Sequence, residues 1–396
     1  MTFTQSQHLE PKAAKIAFVW DNFGPMHADR CDAVAQELSP HRGVIGLELF
    51  STSNEYAWNA ESGRHFRKVT LFPDRGAQAA PALKLARAIV NACRANSVSD
   101  VFLCNYDRPG IFLAGLMLRL LGKRVYVMGC AKFDDSTRDV WREAAKRLFF
   151  LPYQGAIASG KRSRDYMRFM GIAEQNIATE YNTLSLDRIR AMAGGAPAPD
   201  GAPFGDRHFT IVARFVPKKN LFMALEAYKL YTNASPNPRP LHLCGSGELE
   251  TQLREKVDAH GLGEHVLFRG FLQTDGIART LATTLALILP SIEEQFGNVV
   301  IEAQAMGLPV ILSDACGARD NLVRNGVNGF VLEPDNAAGL AFFMDLLSRE
   351  ESLWRSQALK AREYGSLGDV ARFAEAVTKL VSPRTPSTEG PDAGRQ

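Results

Sequence analysis

Residues 290–309 read Pro-Ser-Ile-Glu-Glu-Gln-Phe-Gly-Asn-Val-Val-Ile-Glu-Ala-Gln-Ala-Met-Gly-Leu-Pro. An apolar stretch of strand length, Leu285–Leu289, runs into this segment, and another, Val310–Leu312, leaves it. Between them Glu294 and Glu302 are separated by seven residues that include the turn Phe296-Gly297-Asn298. The pattern predicts strand, acid-bearing loop, short helix, strand. Asn298 is placed to cap the helix by accepting a hydrogen bond from a first-turn N–H. Gly307 fits a left-handed C-terminal cap, and Pro309 blocks continuation. A helix that starts here faces the crevice at the carboxyl ends of the strands, where its free N–H groups favour an anion such as a phosphate. Glu294 lies in the loop over that crevice, and Glu302 lies more than a turn into the helix. The two acids are therefore expected to grip different parts of one ligand rather than each other.

Outward from this segment, short apolar strands alternate with helical patterns along the whole chain, which predicts parallel α/β layers. In the first half the expected strands are Ile16–Trp20, Val44–Leu49, Asp100–Cys104, Arg124–Met128 and Gly155–Ala158, with helical patterns such as Ala28–Leu38 and Ala82–Ala95 between them. In the second half they are Phe209–Ala213, Leu241–Cys244, His265–Phe268, Leu285–Leu289, Val310–Leu312 and Phe330–Leu332. The two series are separated by Ala191–Asp206, rich in Gly, Ala and Pro and without periodicity, which reads as a linker or exposed loop. Apolar spacing at Val370, Phe373, Val377 and Leu380 predicts a last helix, and the Pro-, Ser-, Thr- and Gly-rich stretch 383–396 reads as a disordered tail.

The chain has 396 residues, enough for two domains and a large core, with 46% hydrophobic and 22% charged residues. A net charge of +3, with Lys and Arg scattered among acids, argues against nucleic acid as a partner. None of the six cysteines forms a Cys-x-x-Cys pair, and most lie beside apolar runs, so buried free thiols in a reducing compartment are expected. The start, Met1 to Lys15, lacks the apolar core of a signal peptide, and the longest apolar run, Ile111–Leu121, contains Arg119 and is too short to span a bilayer. A cytoplasmic protein is expected, with peripheral contact at the inner membrane face as an option.

Other groups able to carry chemistry follow the strands. Arg214 and Lys219 project from the carboxyl end of the first strand of the second half; alone they read more readily as an exposed basic turn. Gly245-Ser246-Gly247-Glu248 is a tight strand-to-helix turn that fails as a dinucleotide fingerprint, because Glu250 stands at the third glycine position. After the first strand, Trp20-Asp21-Asn22-Phe23-Gly24-Pro25-Met26-His27-Ala28-Asp29 makes a Gly-Pro turn into a helix; Gly24 permits close approach of backbone to a ligand, and His27 and Asp29 either orient a hydroxyl or cap the helix. Asp134-Asp135 has no His or third acid at ligand spacing, so no metal is expected there. The stretch Arg138–Phe150 is amphipathic and basic, and reads either as a helix packed on its own sheet or as one that touches an anionic membrane.

Glu294-x7-Glu302, with Phe296-Gly297 inside it and Gly307-Leu308-Pro309-Val310 after it, resembles the donor-site signature of the GT-B glycosyltransferases, most closely the retaining glycosyltransferase family 4 (group 1). The resemblance implies the GT-B architecture, an α/β fold of two Rossmann-like domains facing a central cleft. It divides the chain into a flexible N-terminus (1–14), an acceptor domain (15–190), a linker (191–206), a donor domain (207–365), a terminal helix crossing back to the first domain (366–382) and a tail (383–396). It implies transfer of a hexosyl-type sugar, with retention, from a nucleotide diphosphate sugar to a hydroxyl of a glycan or lipid-linked acceptor in bacterial surface polysaccharide synthesis. UDP-sugars are the commonest family donors and GDP-mannose follows; no metal or other cofactor is implied. Arg214 and Lys219, at the family's five-residue spacing, would hold the diphosphate. Glu302 would accept hydrogen bonds from ribose hydroxyls, and Glu294 would hold the sugar and favour its oxocarbenium-like charge. Phe296, Gly297, Asn298 and Val299 would shape the donor loop, Gly245 and Glu248 the nucleotide pocket, and Gly24 the approach to the phosphates. Many relatives carry a histidine after the fourth strand of the first domain; here the region reads Gly129-Cys130-Ala131-Lys132-Phe133-Asp134, so Lys132 or Asp134 is the candidate substitute. Specificity falls to first-half loops such as Asn54–Arg75 and Asn105–Gly110.

Rival readings are a hydrolase, a sugar-nucleotide epimerase of the same architecture and a non-catalytic sugar-nucleotide binder. A retaining hydrolase would need its two carboxyls about 5 Å apart across the sugar. An NAD oxidoreductase is disfavoured, since Asp21-Asn22-Phe23-Gly24-Pro25 is not a glycine-rich fingerprint.

Overall fold

The computed structural model describes residues 14–51, 63–73, 80–135 and 138–382. The expected flexible start (apart from Ala14), the tail 383–396 and the 54–62 and 74–75 portions of the expected specificity loop lie outside the described residues.

Strands β1 (Lys15–Trp20), β2 (Val44–Phe50), β3 (Arg67–Phe72), β4 (Val98–Leu103), β5 (Arg124–Gly129), β6 (Gly155–Ala158) and β7 (Ile177–Ala178) form one sheet in the order β3-β2-β1-β4-β5-β6-β7. Strands β8 (His208–Val212), β9 (Leu241–Cys244), β10 (Val266–Gly270), β11 (Thr284–Leu289), β12 (Val310–Ser313) and β13 (Gly329–Leu332) form a second, ordered β10-β9-β8-β11-β12-β13. All pairings between these strands are parallel. Parallel sheets need cover on both faces, which is why the central strands are continuous apolar runs: every residue of Thr284–Leu289 is buried. In each sheet the chain reverses its direction of travel beside the first strand, between β1 and β4 and between β8 and β11. These reversals open a crevice at the carboxyl ends, where such folds hold ligands.

Two of these strands escape the sequence patterns. Arg-Lys-Val-Thr-Leu-Phe in β3 is polar at its start and sits at an edge, and β7 is two residues long.

The two sheets are tied where the chain crosses between them. The Leu184 N–H donates to Gly368 O at 2.9 Å and the Val370 N–H to Leu184 O at 3.1 Å, pairing the outgoing and returning segments. Asp369 caps the returning helix Val370–Val381 through the Ala371 N–H. That helix packs Phe373 beside Phe18, with ring centroids 5.6 Å apart, and gives its Leu380 carbonyl to the Tyr126 hydroxyl, so it belongs to the core of the first sheet. The 191–206 stretch is no free spacer: helix Leu186–Ala193 runs into it, and the buried Ala198 donates its N–H to Met306 O at 2.8 Å.

Of the six free cysteines, Cys31, Cys93, Cys244 and Cys316 are buried as expected, while Cys104 and Cys130 are partly exposed. No helix among the described residues is long and apolar enough to cross a membrane.

Candidate active site

The acid-bearing segment forms strand, loop, short helix (Val299–Ala305), strand. At its end, Gly307 adopts φ +68°. The Leu308 N–H reaches Ala303 O and the Gly307 N–H reaches Gln304 O, which satisfies the last carbonyls of the helix. At its start the expectation fails. Asn298 makes no capping bond; its Nδ2 instead reaches toward Met26 Sδ, 3.6 Å away in the first domain, because Asn298 is itself in helical conformation. Gly297 has φ +99°, and a Cβ there would lie 2.8 Å from Leu289. Glycine is required for the turn that carries the preceding acid.

Glu294 and Lys219 meet at the β8/β11 reversal as an ion pair, both largely buried. Arg214 lies on the same loop, exposed, and its side chain makes no hydrogen bond or ion pair among the described residues. The turn after β9 fixes this loop. A Cβ on Gly245 would sit 1.8 Å from Ala213 O and one on Gly247 2.5 Å from Phe215 O. The two backbones are zipped by Phe215 N–H to Ser246 O and Leu249 N–H to Phe215 O. Glu248 at this turn is exposed.

Glu302 points elsewhere. It lines a cavity of about 110 Å³ with Pro25, Met26, Arg188, Phe271 and Gln273 among its walls. Burial raises its carboxyl to about 7, against the partial relief of the Arg188 charge. Phe296 is buried beneath the loop and Val299 partly so.

The first-domain candidates reach the same cleft but are engaged in other contacts. Gly24 begins the helix Pro25–Glu37, and its N–H donates to His27 Nδ1 at 3.1 Å. His27 is buried against Trp20; burial, then Arg30, hold its pKa well below the usual value, so the ring is neutral. Asp29 is paired bidentately with Arg188 at 2.6–3.0 Å. Lys132 is buried, with Nζ donating to Ala315 O at 3.1 Å and pairing with Asp134. Asp134 is also paired with Arg162. Burial raises the Cys130 thiol, and the Glu294 charge adds to the effect; the thiol donates to Asn182 Oδ1 at 3.4 Å.

Sequence reading missed Arg188 and Arg162. Arg162 donates to Cys316 O at 2.6 Å and to Asp320 at 2.8 Å, so it grips the 314–320 loop of the second domain. That loop is locked to the acid loop: Gly317 N–H donates to Glu294 O, Ala318 N–H to Phe296 O, and a Cβ on Gly317 would lie 2.0 Å from Gln295 O. Nothing in the local sequence marks either arginine, since each sits in an ordinary charged helix.

Among the described residues, no group of three or more His, Cys, Asp and Glu side chains is arranged to hold a metal.

Comparison with known proteins agrees on both fold and segment. Residues 198–365 match the family described as Glycosyl transferases group 1. The poly(glycerol-phosphate) alpha-glucosyltransferase of Bacillus subtilis is 28% identical over 192 residues, 48% of this chain and 28% of that protein. The Vi polysaccharide biosynthesis protein VipC/TviE of Salmonella typhi is 32% identical over 146 residues, 37% of this chain and 25% of that protein. The chain thus spans about a quarter of the length of these curated relatives. Anabaena HepE, solved in complex with UDP, superposes with a TM-score of 0.67 at 17% identity, covering 92% of this chain and 98% of that one. The fold is the two-domain GT-B architecture, and its 198–365 segment, which holds Arg214, Lys219, Glu294 and Glu302, matches the group 1 glycosyl transferases.

Proposed function

We propose that this chain is a retaining glycosyltransferase of family 4 type. In this reading it moves a hexosyl group from a nucleotide diphosphate sugar, a UDP-sugar before GDP-mannose, to a hydroxyl of a glycan or lipid-linked acceptor in surface polysaccharide synthesis. The observation that carries this reading is the Lys219–Glu294 pair at the β8/β11 reversal, with the uncommitted Arg214 beside it. A diphosphate entering there takes Lys219 and Arg214 as counter-ions, and Lys219 exchanges a carboxylate for a phosphate. Glu294 is thereby released to the sugar hydroxyls, next to the carbon that becomes positive. The bond from C1 to the phosphate oxygen breaks, its electron pair stays on the phosphate, and the two cations stabilise the charge that appears there. The acceptor oxygen attacks on the same face and gives its proton to that leaving oxygen. Glu302, in its own cavity beside Phe271, Gln273 and Thr274, takes the ribose hydroxyls. The separate surroundings of the two acids count against a hydrolytic acid/base pair. Binding of UDP by HepE and the glucosyl transfer named for the Bacillus relative support the choice of donor class.

The test is incubation with UDP-, GDP- and ADP-sugars without acceptor, following nucleotide release. Slow release from one sugar nucleotide, abolished by Arg214→Ala, is expected. Hydrolysis that survives Arg214→Ala, Lys219→Ala and Glu294→Gln, or conversion of the sugar nucleotide to its epimer, overturns the reading.

A further inference from the structure

Both faces of a parallel sheet are normally packed with aliphatic side chains. Under the helix Thr274–Ala282 the second sheet breaks this rule. The register sets Thr210 of β8 opposite His242 of β9, and strand alternation puts His208 on the same face. Thr284, at the start of β11, joins them through a 2.7 Å hydrogen bond between its hydroxyl and that of Thr210. The two imidazoles stack with their centroids 3.6 Å apart. His208 is engaged on both sides. Its Nδ1 lies 3.2 Å from Phe209 O, which can only accept, so that nitrogen carries the proton, and its Nε2 lies 3.0 Å from the Thr283 hydroxyl. His242 makes no hydrogen bond among the described residues, and its Nδ1 is buried. Burial, then the Arg269 charge, holds His242 at about 4, and burial, then His242, holds His208 at about 4, so both rings are neutral at pH 7. A buried ring nitrogen without a partner carries a cost that leucine or valine at this position would avoid.

The histidine pair opens into a cavity of about 380 Å³ between the helix and the strands. Arg269 and Arg279, both exposed, line it, and no acid does so among the described residues. Arg279 is shared with Asp275 at 2.7 Å, an exposed pair one helical turn apart that is worth little and is easily given up. Arg269 makes no hydrogen bond or ion pair among the described residues. Two guanidinium groups and an unpartnered imidazole thus converge without a counter-charge. Such a donor set suits the oxygens of a phosphate, and the same charges repel a metal ion. The volume exceeds what a bare phosphate fills and lies in the range of pockets that hold small organic ligands. The cavity is remote from the Lys219–Glu294 pair: His208 begins β8, and the loop with Arg214 and Lys219 follows the other end of that strand.

We propose that this cavity is a second binding site, which takes a phosphate group, free or carried on a monosaccharide, between Arg269, Arg279 and His242. It goes beyond the transferase reading and is measured without a sugar nucleotide, so the two stand or fall separately. The test is calorimetric titration of the full chain with inorganic phosphate, with glucose 6-phosphate and with glucose. Binding of a phosphate-bearing probe is expected, and glucose should not bind. Tighter binding of glucose 6-phosphate assigns the sugar ester, and equal binding assigns the free anion. The double variant Arg269→Ser/Arg279→Ser should weaken binding by about tenfold or more, because two charge-assisted contacts are lost. Both side chains are exposed, so its thermal midpoint without probe should match the wild type. Arg214→Ala, at the other site, should retain the binding. In proton spectra the probe should shift imidazole signals of the wild type, one of which is missing from His242→Gln. Absence of binding by both anions, equal binding by wild type and the double variant, or equal binding of glucose overturns the proposal. So does binding that Arg214→Ala abolishes and the double variant keeps, which would place the phosphate at the β8/β11 reversal.

Discussion

On the second-domain wall of the cleft, Lys219 and Glu294 hold each other at the strand reversal, Arg214 stands uncommitted beside them and Glu302 lines its own cavity. On the first-domain wall the polar residues are engaged in structural contacts. His27 holds the Gly24 N–H, Asp29 holds Arg188, Lys132 holds the Ala315 carbonyl, and Asp134 holds Arg162. Three of these four contacts run from the first domain to segments outside its sheet or to a residue that bridges to the second domain. In the proposed reading the Lys219–Glu294 pair exchanges partners when a ligand arrives, while Lys132 and Arg162 on the opposite wall tie the first domain to the 314–320 loop. The residue types are similar on both walls; what differs is whether a partner can be given up.

The largest expected effect tests the exchangeable pair. Lys219→Ala should reduce turnover by roughly 10²–10³-fold, because the leaving phosphate loses a cation placed in advance. It should also lower the thermal midpoint, since Glu294 is left largely buried without its counter-ion. Glu294→Gln should reduce turnover comparably while nucleotide binding, read by calorimetry, stays near wild type. If Lys219→Ala lowers only the midpoint and leaves turnover intact, the pair is a structural contact like those opposite, and the contrast between the walls disappears.

The next effect tests the fixed wall. Arg162 grips the carbonyls of the 314–316 loop, and that loop is zipped backbone to backbone to residues 294–296. The first domain is therefore linked to the position of Glu294 through this loop. Arg162→Ala should reduce turnover by roughly 10–100-fold, the scale of a small misplacement of reacting groups. Nucleotide affinity should be retained, because the proposed nucleotide site lies on the second domain. Arg162→Lys, which keeps the charge but not the fork, should fall between. Solution scattering should show a wider separation of domains in the alanine variant. An equal loss of nucleotide affinity and turnover would mean that Arg162 supports the second domain as a whole rather than the position of Glu294.

The same contrast explains what the sequence discloses. The second-domain wall is legible because its geometry is local. Strand β11, the Phe296-Gly297 turn, the short helix and the Gly307 cap follow one another within about two dozen residues, and the turn and the cap each take a positive φ that favours glycine. Even there, Asn298 misleads, because its side chain answers to Met26, 272 residues away in the chain. The first-domain wall is built from pairs such as Asp29–Arg188 and Arg162–Asp320, separated by more than 150 residues. No periodicity or cap encodes such a pair, so Arg162 and Arg188 look like solvent-facing helix charges until the domains are brought together. The helix Val140–Phe149 shows a further limit: its spacing reveals an apolar face but not which way that face turns. Buried Glu143, which accepts hydrogen bonds from Tyr166 Oη and Lys146 Nζ, turns it outward and leaves Trp141 exposed.

The smallest effect compares one acid from each wall. Burial would raise Asp134, but the bond from Lys132 and the charges of Arg162 and Lys132 outweigh it and hold its carboxyl below the usual value. Glu302 is raised to about 7 by burial, with Arg188 opposing only in part. The sign for folding follows directly. Glu302 binds its proton more tightly in the folded chain than at its ordinary 4.5, so its contribution to stability is present at low pH and declines as pH rises from 4.5 through 7. The sign for binding is opposite. In the proposed complex ribose hydroxyls would donate to the carboxylate and favour its ionised form, so donor affinity should strengthen between pH 6 and 8, by roughly fivefold. A sugar nucleotide is the right probe, since its doubly esterified diphosphate does not itself titrate in that window. Calorimetric titration across this range should give a slope for the wild type and a flat line for Glu302→Gln, while Asp134→Asn should leave the slope unchanged. If Asp134→Asn removes the slope instead, the pH response belongs to the contacts that set the separation of the walls, and the free carboxylate of the second domain is not what senses the donor.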